Sequence, residues 1–187
     1  FLLSRLARTA ECTLSYEGGI QHTSAGDSVF VTVEDADIRA VAEIAADMVT
    51  IDGVTQVSGD GTGNGVFRLQ LSQPFLALEL AEHGAIFREA TADPTTTTLV
   101  VDVPESIDVR NIAQLVRETF STVELQRKET LERSLHHNLH SQFLADLTER
   151  QLEVIQTAYY SGYFESPREK SGEDVAETLE ISPPAFY

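Results

Sequence analysis

Cysteine and lysine are both scarce in this chain. The single cysteine, Cys12, excludes an internal disulfide and any zinc site built from cysteines. It lies in an apolar run and reads as a small core residue, and a reduced cytoplasm is the simplest setting. Lysine occurs only at Lys128 and Lys170, and total Lys plus Arg is 13 against 30 acids, a formal net charge of -17. No run of eighteen apolar residues is present, so no membrane-spanning helix is expected. The start, Phe1-Leu2-Leu3-Ser4-Arg5, lacks the apolar stretch of a signal peptide. The chain opens without methionine and ends inside an expected helix, so either a fragment or termini lost to disorder is expected. No motif places a nucleophile beside a base, and the G-x-S-x-G elbow is missing. Neither an enzyme nor a cofactor is therefore expected.

The acid excess bears on partners. Phosphates repel such a chain at low salt. Near salt saturation the Debye length falls to about 3 Å or less, and that repulsion is screened. Counterion release then loses its driving force, so DNA binding would lean on shape, hydration and base-edge contacts. The competing reading is a chain that avoids nucleic acid.

The composition is 42% apolar, enough for a sizeable core. Along the first 130 residues the apolar period switches repeatedly between helix and strand. Residues 1–8 read as a helix end with Leu2, Leu3 and Leu6 apolar. Residues 11–17 alternate as a strand, with Cys12, Leu14 and Tyr16 on one face, and Gly18-Gly19 is expected to break it. Residues 28–33 form a second strand. Residues 35–49 carry a helical stripe of Ile38, Val41, Ala42, Ala45 and Met48. Residues 54–59 and 66–71 flank the loop Gly59-Asp60-Gly61-Thr62-Gly63-Asn64-Gly65 as a hairpin. That loop contains G-x-G-x-G but lacks the lysine and following helix of a phosphate loop. Pro74 opens a helix through Glu82, with Gly84 as its stop. Residues 85–92 and 97–103 turn at Asp93-Pro94. Residues 106–119 form a helix, with Ile107, Ile112, Leu115 and Val116 apolar, and 123–131 form a last strand, or a strand then a helix.

Helix-strand-strand thus recurs about every 35 residues, with helices opening near Asp35, Pro74 and Ser106. The expected fold class is α+β. An N-terminal antiparallel or mixed sheet with helices on one face precedes a C-terminal all-α helix-turn-helix. Residues 1–130 form the α/β regulatory domain, 131–146 a helical linker, and 147–187 the helix-turn-helix. In the linker Leu131, Leu135, Leu139 and Phe143 recur every fourth residue, as an intramolecular or a dimer seam. His136, His137 and His140, with Glu132 one turn earlier, have helical spacing. No complementary ligand cluster accompanies them, so no metal is assigned.

Residues 147–187 carry the strongest local signals. Thr148 and Gln151 fit a capping box, with Leu147 placed to staple onto Leu152. Leu152, Ile155, Ala158 and Tyr159 form the expected buried face, and Gly162 the stop. After a connector with Pro167, Ser171 and Asp174 form a second cap, and Val175, Ala176 and Leu179 line helix two. Ser182-Pro183 is a start signal for helix three: a capping side chain, then proline at the first helical position. Phe186 would plug the shared core. Small Ala176 and the apolar set Val175, Leu179, Ile181 and Phe186 fit a helix-turn-helix whose third helix enters a major groove.

The runs Leu147-Thr148-Glu149-Arg150-Gln151, Ala158-Tyr159, Gly162-Tyr163-Phe164-Glu165, Pro167-Arg168 and Ala176, Leu179, Ile181-Ser182 closely resemble one known helix-turn-helix. It is that of the bacterio-opsin activator family of haloarchaeal transcription regulators. The GYFE-x-PR connector is the specific part. The region before residue 147 resembles the associated domain of that family by weaker motifs. The resemblance implies sequence-specific binding of double-stranded DNA with helix three as reader, and sensor domains further upstream in family members. Two departures stand out: family members continue with a His-Leu-Arg-like stretch, and Glu180 holds a turn position where glycine is common.

Ser182, Pro183, Pro184, Ala185 and Tyr187 are the expected near-DNA surface. Arg168, Lys170 and Arg150 are candidate phosphate contacts. Against each stands a plainer role: Pro183 as a helix starter, Tyr187 as core, Arg168 as a partner of Glu165. A homodimer, suited to two half-sites, and a small-molecule effector are further candidate partners. The alternative function is a ligand- or partner-binding regulatory module without DNA binding of its own.

Overall fold

A computed structural model describes residues 1–20, 26–59, 62–120, 122–130 and 147–187. The linker stripe and the three linker histidines lie outside the described residues. The chain runs α1 (Leu2–Ala10), β1 (Thr13–Ile20), β2 (Ser28–Asp37), α2 (Ile38–Ala46), β3 (Ile51–Gly59), β4 (Thr62–Leu71), α3 (Leu76–Glu82), β5 (Ile86–Ala92), β6 (Thr97–Asp102) and α4 (Val109–Thr119). Then follow α5 (Glu149–Tyr160), α6 (Gly172–Thr178) and α7 (Pro183–Phe186). The helix-strand-strand order holds three times over.

The six strands form one sheet in the order β3-β4-β2-β1-β5-β6. Each pairing is antiparallel, so the sheet is antiparallel rather than mixed. Helices α1 to α4 all pack on one face. Leu3, Leu6 and Ala7 of α1 and Ile38, Val41 and Ala45 of α2 meet Leu14, Val31, Val33, Phe67 and Leu69 from the strands. Leu76 and Leu80 of α3 and Ile112 and Val116 of α4 extend that layer over β5 and β6, with Phe87 and Leu99 touching both parts. Cys12 is buried and free, and burial raises its thiol pKa, as fits a core residue.

Local chemistry explains the helix starts. Asp37 caps α2 by accepting from the backbone N–H of Arg39 and Ala40, and Asp108 caps α4 through Arg110 N–H. The β5–β6 turn is tied by Asp93, whose carboxylate accepts from the backbone N–H of Thr95 and Thr96 and from the Thr95 hydroxyl. Those bonds hold the Asp93 carboxyl below its ordinary pKa.

Four expectations need correction. Strand β1 does not break at Gly18-Gly19; it bulges between Tyr16 and Gly18 and stays paired to Ile20. The bulge reverses the alternation, so Ile20 joins the opposite face from Leu14. Helix α2 starts at Ile38 rather than Asp35, because β2 continues to Asp37, which pairs with Thr62. The glycine run is mostly strand: Gly59, Gly63 and Gly65 all pair, and a Cβ on Gly65 would lie 3.0 Å from Ile38 Cδ1. Residues 122–130 contain no strand.

Candidate nucleic-acid interface

Helix α5 starts as its sequence demands. The Thr148 hydroxyl accepts from Gln151 N–H, and the Gln151 side chain accepts from Thr148 N–H, a complete capping box. It ends at Gly162, whose φ of 74° is left-handed. Helix α6 has the same device in Ser171 and Asp174. The backbone and hydroxyl hydrogen bonds from Ser171 hold the Asp174 carboxyl below its ordinary pKa. Ala158, Val175 and Leu179 form the small core between helices, with Val154, Tyr163, Ile181 and Phe186 packed on it. Phe186 thus takes the expected plug position. The turn into α7 passes Glu180 at φ 54°, with Ile181 N–H donating to Ala176 O at 3.0 Å.

Two expected details fail. Ile155 and Tyr159 are 39% and 65% exposed, not part of the buried face. Helix α5 is gripped from two other sides: Val154 and Ala158 face α6, while Leu152 and Tyr160 face the sheet. Ser182 occupies the cap position of α7, but its side chain makes no cap hydrogen bond; Pro183 at the first helical position needs none of its own N–H.

The structure brings most of the candidate residues together. Ser182, Pro183, Pro184 and Ala185 are exposed. Tyr187 is 76% exposed, and its hydroxyl fills the space where a Cβ on Gly172 would lie. The Arg168 guanidinium lies 4.6 Å over the Tyr163 ring, and that ring sits edge-on to Phe186 at 5.2 Å. Arg168 is therefore one ring away from α7. Lys170 is exposed and immediately precedes the α6 cap.

Arg150 is placed elsewhere. It pairs with Glu153, and its Nη2 donates to Leu179 O at 2.9 Å. It faces the sheet, beside Arg68 of β4, which donates to the other Glu153 oxygen. Glu153, Arg68 and Tyr160 were not legible as functional residues. The one sequence signal was alternation: Arg68 falls opposite Phe67 and Leu69, on the face that α1 to α4 leave open.

Taken together, the chain is an α+β protein whose antiparallel sheet carries four helices on one face and a helix-turn-helix on the other. Residues 1–140 match the family described as "GAF and HTH_10 associated domain" (BAT), and residues 147–187 match the "HTH DNA binding domain" family HTH_10. The chain belongs to this BAT family. It is similar to a "Bacterioopsin transcriptional activator" of Halobacterium salinarum, 31% identical over 188 residues, covering 99% of this chain and 28% of that protein. A Haloferax volcanii protein bearing a transcriptional-regulator name is 29% identical over 100% of this chain and 32% of its own length. The "Transcriptional regulator NarO" of Haloferax volcanii is 35% identical over 112 residues, 59% of this chain and 53% of that protein. The chain spans about a third of the length of the first two of these relatives. No solved structure matches it.

Proposed function

We propose that this chain is the DNA-reading part of a transcription regulator of the bacterio-opsin activator type. The supporting observation is the grouping on one side of the helix-turn-helix of the exposed start of α7, Arg168 and Lys170. Helix α7 makes base-edge contacts through Ser182, Pro183, Pro184, Ala185 and Tyr187, and the connector cations meet phosphates. Arg150, paired with Glu153 and bonded to Leu179 O, holds the head in place rather than meeting phosphate. Residues 1–130 are the regulatory domain, 131–146 the linker and 147–187 the reading head. The protein works in the cytoplasm and performs no catalysis. Among the described residues no helix is long and apolar enough to cross a membrane. A second copy and a small-molecule effector complete the partner set.

The test is binding in molar KCl by the full-length protein to its own promoter regions against random competitor DNA. Arg168→Ala with Lys170→Ala should weaken specific binding. Unchanged binding would remove the connector from the interface. A folded protein that binds no promoter would favour the regulatory-module reading instead.

A further inference from the structure

We propose that the sheet holds the reading head in one orientation through a latch centred on Glu153, and that opening this latch changes DNA binding. The coupling half of this proposal rests on the DNA-binding reading; the latch itself does not.

The seat is built from the face of the sheet that α1 to α4 leave bare. Ile20, Phe30 and Val57 are buried there under Leu152 and Tyr160 of α5. Phe30 and Tyr160 have ring centroids 5.0 Å apart. The Tyr160 hydroxyl donates to Glu17 O at 3.0 Å, at the bulge of β1. A Cβ on Gly18 would lie 3.1 Å from that hydroxyl, so the bulge and its glycine make room for Tyr160.

The latch is ionic. Glu153 is 7% exposed and shared between Arg68 of the sheet and Arg150 of α5. Arg150 then reaches Leu179 O, the residue before the turn into α7. A chain of polar contacts therefore runs from β4 through Glu153 and Arg150 to the C-cap of α6, next to the Glu180 turn that leads into α7. Separated from both guanidiniums while still buried, Glu153 would be an uncompensated charge, so half-open positions are costly. The head is either seated with Glu153 paired or lifted with Glu153 in water, the two-state element that control requires.

Two features make the seat separable. Its apolar part is small: among the described residues, three are buried in it against eighteen in the main core. It also leaves Gln156 Oε1 of α5 buried without a partner among the described residues, a cost that lifting would relieve. Beside the latch opens a polar cleft of about 720 Å³, bounded by Gln56 and Gln70 on the sheet and Glu177 and Glu180 on the head. Solutes reach Arg68 and Arg150 through it.

The experiment places spin labels at Arg39→Cys on α2 and Glu173→Cys on α6, both exposed positions, in a Cys12→Ala background of the full-length protein. Pulsed dipolar spectroscopy should give one narrow distance for the parent. Glu153→Gln removes the latch charge. Gly18→Val leaves a residue that strands accept and crowds the Tyr160 hydroxyl, with Gln156 Nε2 next to it. Both should broaden the distance distribution with circular dichroism unchanged, and both should weaken promoter binding at least tenfold. A narrow, unshifted distance in both variants overturns the latch. A broadened distance with unchanged promoter affinity overturns the coupling. If the parent binds no promoter, the DNA-binding reading fails and the coupling with it, while the distances still decide the latch.

Discussion

The two faces of the sheet bury the same kind of residue for different purposes. Phe67 and Phe30 sit on neighbouring strands, 1% and 0% exposed. Phe67 lies under α1 and α2 in a continuous apolar layer, and Phe30 lies under Tyr160 in a thin seat flanked by an ion pair. A continuous apolar layer gains little by opening partway and holds its parts permanently. A thin seat with a buried ionic contact specifies one arrangement yet costs less to leave. The difference separates the domain that must stay folded from the head that it positions.

The largest effect should come from breaking the first face. Phe67→Ala should cost about 3–5 kcal/mol and lower the stability of sheet and head together, since the head has nothing else to sit on. Phe30→Ala should cost less, near the low end of that range at about 3 kcal/mol, because the seat can hydrate or separate around the missing ring. Hydrogen exchange distinguishes them: Phe67→Ala should speed exchange in β1, β2 and β4, and Phe30→Ala chiefly in α5. Equal losses of protection in all elements would make the two faces one cooperative unit.

A smaller effect should follow at Thr148. Its hydroxyl caps α5, which carries the seat, and its loss should cost about 1 kcal/mol. Chemical denaturation of Thr148→Ala should show this loss with an unchanged denaturant slope. Smaller again, and of opposite sign, is Glu180→Gly. Glu180 holds φ 54°, a conformation that a side chain resists by about 1 kcal/mol. Glycine should recover about 0.5–1 kcal/mol, visible as a higher thermal midpoint, although it also removes a carboxylate near Arg68. A lower midpoint would mean that this electrostatic contact outweighs the backbone strain.

What was legible in the sequence was local. Thr148 with Gln151, Ser171 with Asp174, and Gly162 each act within one helical turn, and all three devices are present. The helix-strand-strand order was legible because period is a local property. Contacts distant in sequence decided the rest. Glycines 18 and 19 stayed in β1 because β2 pairs with them across a bulge. Asp35, at φ 57°, sits in a bulge between Val33 and Ala36, and β2 runs on past it because Ala36 and Asp37 pair with β4. Ile155 and Tyr159 fit one helical stripe, yet α5 serves two neighbours and turns that stripe outward. The Arg68–Glu153 pair joins residues 85 positions apart, beyond any local pattern.

The finest test concerns the head alone. Two hydrogen bonds from Ser171 hold the fully exposed Asp174 carboxyl below its ordinary pKa of 3.8. The sign follows from linkage: the folded state prefers the ionised carboxylate, so its contribution is complete above the unfolded pKa. It falls away as pH drops through the lower folded value. Acid should therefore fray the start of α6 while leaving the apolar layer under α1 and α2 intact. A carboxyl-detected NMR titration should place the Asp174 midpoint below that of an ordinary aspartate, and Ser171→Ala should move it back up. Because Val175 of α6 and its C-cap Leu179 carry the core on which Phe186 rests, acid fraying there should reach α7 before it reaches the sheet. Simultaneous loss of α6 and the sheet on acidification would show that the head has no stability of its own to lose.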